Sequence, residues 1–98
     1  MKDVAVIGAG KIGSMIADLL VRSGDYRVTV ADRSPEALRH LGTTLPVEVV
    51  ELDVAHPDAL DRLLAGKFAV LSAAPYHLTV RIAEAARRAA SAMRTVRW

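Results

Sequence analysis

Residues 4–20 read VAVIGAGKIGSMIADLL. An apolar run stops at Gly8, glycine returns at positions 10 and 13, and an apolar pattern of helical spacing begins. The run is short, rich in valine and closed by glycine, as a buried strand is. Beyond it Ile12, Met15, Ile16, Leu19 and Leu20 share one helical face, and Gly24 stops the helix. A strand that turns through G-x-G-x-x-G into a helix has a physical use for each glycine. Gly8 permits the tight turn, Gly10 leaves the backbone open to a pyrophosphate, and Gly13 lets the helix lie close to the strand. The helix start then offers free N–H groups and a partial positive charge to phosphate. Gly8, Gly10, Lys11, Ile12 and Gly13 are therefore candidate dinucleotide contacts. Without a ligand the same glycines would form only a tight turn.

The pattern repeats outward from this stretch. YRVTVAD is a second strand, followed by SPEALRHLG, with Ser34 as N-cap, Pro35 at the first helical position and Gly42 past the end. VEVVELDV is a third strand, and HPDALDRLLAG a helix opened by Pro57 and closed by Gly66. FAVLSAA is a fourth strand, and an alanine-rich helix begins near Pro75 and Tyr76. Four strand–helix pairs in succession predict a parallel sheet with helices on both faces. The expected fold is a Rossmann-type three-layer α/β domain of at least four strands in the order 3-2-1-4, short of a full Rossmann domain. The 98 residues allow one domain, and no linker or solenoid repeat interrupts them.

The strand ends supply further candidates. Asp32 ends the second strand nineteen residues past Gly13, near the spacing of an acid that binds the adenosine ribose hydroxyls. A carboxylate there favours NAD over NADP, although Arg33 beside it can accommodate an extra phosphate. Asp32 also reads as a plain strand-end residue. Asp53 and Val54 end the third strand, where an adenine would lie, and Asp53 equally suits a simple turn. Ser72, Ala73, Ala74 and Pro75 end the fourth strand beside the point where strand order reverses, and small residues there suit a backbone close to a cofactor.

Composition narrows the class. Hydrophobic residues make up 52% and charged residues 24%, as in a globular protein. There is no cysteine for a disulfide or thiolate metal site. His40, His56 and His77 are scattered without a second ligand at metal spacing, and His77 reads most simply as a helix-start residue. No set of residues marks a catalytic triad or carboxylate pair, so no catalytic residue is assigned. No early segment reads as a signal peptide and no stretch spans a bilayer, so a cytoplasmic setting is expected. From Arg81 onward Arg81, Arg87, Arg88, Arg94 and Arg97 face only Glu84. With no aromatic residues or lysine cluster among them, a solvated helix face fits better than nucleic-acid binding.

VAVIGAGKIG, VTVADR, VEVVELDV and above all LSAAPYHLTVRIAEAARRA resemble the N-terminal cofactor domain of the saccharopine dehydrogenase family. The resemblance spans about residues 2–90. It implies dinucleotide binding by Gly8, Gly10, Gly13 and Asp32, with Ala73, Ala74 and Pro75 lining the cofactor's path. Family members continue into a fifth strand and a substrate domain. Here AARRAASAMRTVRW shows no clear glycine turn or valine-rich strand, and Ile82, Ala86, Ala89, Met93 and Val96 keep a helical spacing, so the last helix is expected to run on into a divergent basic tail over 91–98. The chain then reads as a shortened piece, a natural fragment or a frameshifted remnant. The function implied is the NAD(P)-binding part of an oxidoreductase, inactive alone for want of a substrate domain.

The rival is a nucleotide-sensing regulatory module similar to the cytoplasmic domains of potassium transport. These carry the same glycines and strand-end acid, but typically a glycine before the third-strand acid, where this chain has Leu52. A non-binding remnant is a third possibility. An apolar fourth strand left at the sheet edge would also invite a homodimer built on that strand and the last helix.

Overall fold

The computed structural model describes residues 1–73, 76–89 and 92–95. Strands and helices alternate: β1 (Lys2–Ile7), α1 (Lys11–Ser23), β2 (Tyr26–Asp32), α2 (Pro35–Thr44), β3 (Glu48–Glu51), α3 (Pro57–Leu64), β4 (Ala69–Ser72), α4 (Tyr76–Arg88) and β5 (Ala92–Thr95). The sheet runs β3-β2-β1-β4-β5. Every pairing is parallel, with Val6 between Val30 and Leu71 at the centre. This is a Rossmann-type sheet, and the expected 3-2-1-4 order lies within it.

Alternation along β1 builds two cores. Val6 faces Val28, Val30, Leu38 and Leu41 beneath α1 and α2. Ala5 and Ile7 face Leu60, Leu64, Val70, Ile82 and Ala85 beneath α3 and α4. Burial of both faces explains why Val4–Ile7 of β1 and Ala69–Leu71 of β4 are apolar, as parallel strands are. Arg88 donates from Nε and Nη2 to Asp61 Oδ1, at 3.1 and 2.8 Å, and ties α4 to α3. That hydrogen bond raises the Arg88 pKa above its ordinary value.

Local punctuation works largely as the residues predict. Ser34 Oγ accepts from the Ala37 N–H at 3.2 Å and caps α2, with Pro35 behind it. Gly24 ends α1 in the left-handed conformation. Gly42, however, does not end α2. The helix continues to Thr44 because Leu38 and Leu41 are anchored in the core and Gly42 lies against Val49 of β3. Packing there outweighs the low helix propensity of glycine.

The larger departure is at the far end. The last helix does not run on: α4 stops at Arg88, and Ala92–Thr95 pair with Ala69–Ser72. Alanine, methionine and arginine favour a helix locally, but the open ladder of β4 supplies a stronger partner. Two premises of the expected homodimer fall with it. β4 is an interior strand, and Ile82 and Ala86 are buried, at 0% and 1% exposure. The stretch 91–98 is described only over Ala92–Thr95.

Candidate functional site

The glycine turn is fixed by backbone contacts together with two side chains, Asp32 and Ser14. Gly8 has φ +112°, a region that favours glycine, and its N–H donates to the Ala31 carbonyl at 2.8 Å. A Cβ on Gly8 would stand 3.1 Å from the Ala73 carbonyl carbon and oxygen. One on Gly13 would collide with the Gly8 carbonyl oxygen, so only glycine lets α1 sit this close to the turn. The Ala9 N–H donates to Asp32 Oδ2 at 2.6 Å, and Ser14 Oγ donates back to the Ala9 carbonyl at 3.1 Å.

Gly10 differs. Its φ of −73° and ψ of −165° are open to any residue, and a Cβ there would meet nothing within 4 Å. It is the N-cap of α1 and gives no side-chain cap bond. The first helical bond is Ser14 N–H to the Gly10 carbonyl, at 2.8 Å. The N–H groups of Lys11, Ile12 and Gly13 therefore have no acceptor among the described residues, and they lie at the positive end of the helix dipole.

A cleft of about 160 Å³ opens beside this turn at the carboxyl ends of the strands. It is lined by Ile7, Gly8, Gly10 and Ala73, by the apolar side chains of Leu52, Val54 and Leu78, and by the charged Asp32 and Arg33. The backbone sets this arrangement. The Leu52 N–H donates to the Asp32 carbonyl at 2.9 Å and the Ala73 N–H to the Ile7 carbonyl at 2.8 Å, so the ends of β3 and β4 are both drawn to the turn. Asp32 is half-buried and Arg33 exposed.

The structure thus brings together Gly8, Gly10, Asp32, Arg33, Val54 and Ala73. Gly13 lies beneath the turn, where the lack of a Cβ lets α1 pack against the Gly8 carbonyl. Lys11 lines a separate groove between α1 and α2, and Ile12 is half-buried and is not among the residues lining the cleft. Asp53 does not line it either. Its Oδ1 accepts from the Ala55 N–H at 2.9 Å in a turn, beside a polar recess shared with Arg33, Glu51 and Leu52. Ala74 and Pro75, and the side chain of His77, lie outside the described residues. Leu52, noted from the sequence only as the residue before Asp53, and Leu78 are not among the candidate site residues read there. The signal for Leu52 was its apolar character between two acids at a strand end. No local signal marked Leu78. Among the described residues no group of three His, Cys, Asp or Glu could hold a metal ion, and no helix is long and apolar enough to cross a membrane.

Comparison with known proteins bears on the family and the fold. Residues 4–97 match the family described as the saccharopine dehydrogenase NADP binding domain, a span that takes in β5. The saccharopine dehydrogenase [NADP(+), L-glutamate-forming] of Saccharomyces cerevisiae is 31% identical over 87 residues, which are 89% of this chain and 20% of that protein. The solved structure of the L-Glu-forming yeast enzyme superposes with a TM-score of 0.92 at 28% identity, over 100% of this chain and 22% of that one. The triphenylmethane reductase of Citrobacter sp. shares the fold, with a TM-score of 0.81 at 21% identity, over 98% of this chain and 37% of that one. The chain thus spans about a fifth of the length of the yeast relative. The expected preference for NAD over NADP gains no support, since the family and the yeast enzyme are both named for NADP. The matched span, the glycine turn and the strand order agree, and the chain belongs to the saccharopine dehydrogenase NADP-binding domain family.

Proposed function

We propose that this chain binds NADP(H) and forms the cofactor-holding part of an oxidoreductase of the saccharopine dehydrogenase type. The observation that carries this reading is Gly10. The fold requires glycine at positions 8 and 13, but at position 10 a side chain would meet only open space. A ligand brought against the backbone accounts for its absence. The N–H groups of Lys11, Ile12 and Gly13, without an acceptor among the described residues, suit a diphosphate. Leu52, Val54 and Leu78 suit a planar base, and Arg33, charged and exposed, suits a 2′-phosphate.

When bound, the nicotinamide supplies hydride transfer. The described cleft lining holds Asp32 and Arg33 but no paired acid and base for proton transfer. On this reading turnover needs an acid and a base that the described lining does not supply, and the chain alone is expected to show none. Calorimetric titration with NADPH and NADH in parallel tests the reading. Binding of both, with NADPH the tighter, is expected. No heat with either ligand refutes the cofactor reading, and tighter NADH refutes the choice of NADP(H).

A further inference from the structure

Both oxygens of the Asp32 carboxylate are engaged by backbone N–H groups from different turns. Oδ2 accepts from Ala9 at 2.6 Å, inside the glycine turn, and Oδ1 accepts from Ser34 at 2.9 Å, at the start of α2. The main-chain ladder between the turn and β2 ends at Gly8, whose N–H reaches the Ala31 carbonyl. Ala9 comes next and is buried, at 6% exposure. Its N–H would lack an acceptor there, and a buried unpaired N–H is costly. The Asp32 side chain supplies the missing bond in its charge-assisted form. On the opposite side the Ala73 backbone stands against Gly8.

We infer that Asp32 is a positioning residue: its carboxylate fastens the glycine turn to the start of α2, and so presents the first-turn N–H groups of α1 to phosphate. It does not choose between NAD and NADP. The inference rests on the cofactor reading above. Two N–H dipoles already face the carboxylate charge and offset part of its repulsion toward a 2′-phosphate. An acid at this position therefore accords with a family named for NADP.

Asp32→Asn removes the charge and leaves one acceptor for two donors. The chain and this variant are titrated with NADPH, NADH and adenosine 2′-monophosphate, which has a 2′-phosphate but no diphosphate. The variant should lose about tenfold in affinity for both dinucleotides. It should bind the monophosphate within about twofold of the parent. A loss confined to NADH, or a gain for NADPH, overturns the inference and returns Asp32 to reading the ribose. Equal losses for all three ligands point to general loosening and overturn it too. Amide hydrogen exchange on the unliganded parent needs no variant, so it decides even if Asp32→Asn fails to fold. Ala9 should be protected while Lys11 and Ile12 exchange fast; Ala9 exchanging as fast as Lys11 overturns the inference. A parent that binds neither dinucleotide overturns the cofactor reading and this inference together, whereas the other outcomes leave that reading standing.

Discussion

Two turns meet at the cleft and are built in opposite ways. From β1 into α1 the chain is held by main-chain bonds and by glycines pressed against other backbone, at Gly8 and Gly13. From β2 into α2 the exposed end consists of side chains, with Arg33 beside Asp32, Glu51 and Asp53. At Gly8 and Gly13 the first turn depends on the absence of side chains and tolerates almost no change, while Gly10 is sterically open. The second presents charges on a regular strand end and can be altered without disturbing the sheet. Phosphate binding shared by many dinucleotide proteins belongs on the first kind of turn, and the choice between similar cofactors on the second.

The largest effect that would sharpen this contrast is at Gly13. Gly13→Val forces a branched side chain into the Gly8 carbonyl and should cost about 3 kcal/mol or more of stability, read by urea denaturation. A variant as stable as the parent would break the claim that the first turn is sterically closed. Gly10→Val comes next. It should fold with a loss of about 1 kcal/mol, because valine is a poor N-cap. Its NADPH affinity should nevertheless fall about a hundredfold, since bonds from N–H groups to a charged phosphate are worth roughly 1.5–3 kcal/mol each. A folded variant that binds as tightly as the parent would remove the basis of the cofactor reading.

Predictions at the second turn are smaller. Arg33→Ala should lower NADPH affinity about tenfold, while NADH binding stays within about twofold and stability is unchanged. Equal losses for both cofactors would deny Arg33 its part in discrimination. Ser34→Ala removes the cap on Ala37 and should cost about 1 kcal/mol, a fall of about 5 °C in Tm for a domain of this size. A shift under one degree in differential scanning calorimetry would show that Pro35 and the core anchors hold the helix start without the hydroxyl.

The same contrast decides what could be read from the residues. Gly8 and Gly13 were legible because each answers a steric demand that few other residues meet. Alternating strand and helix punctuation then placed β1 to β4 and α4 in order. Asp32 was legible by spacing, but its bond to the Ala9 N–H was not, because that contact joins residues 23 apart. The NADP question turned on whether an acid or its neighbouring arginine dominates, and spacing holds no information on where their charges point. β5 was missed for another reason. Ala92–Thr95 carry helix-forming residues, and only the vacant side of β4, set by distant parts of the chain, makes them a strand. Gly42 misled likewise, since its place inside α2 depends on Val49 across the layer.

With β5 closing one flank of β4, the rim at the opposite side of the sheet falls to β3, whose four residues EVVE are all exposed. Val49 and Val50 are 40% and 37% exposed, and beside them runs a ladder edge on which a foreign strand could grow. Glu48 and Glu51 bracket the two valines. A second copy approaching in register would bring its own pair of carboxylates against them, and like charges set opposite one another resist such pairing. The short length of the strand limits what a stray partner could gain. The two glutamates thus stand where gatekeeper charges stand, at the ends of an exposed apolar edge.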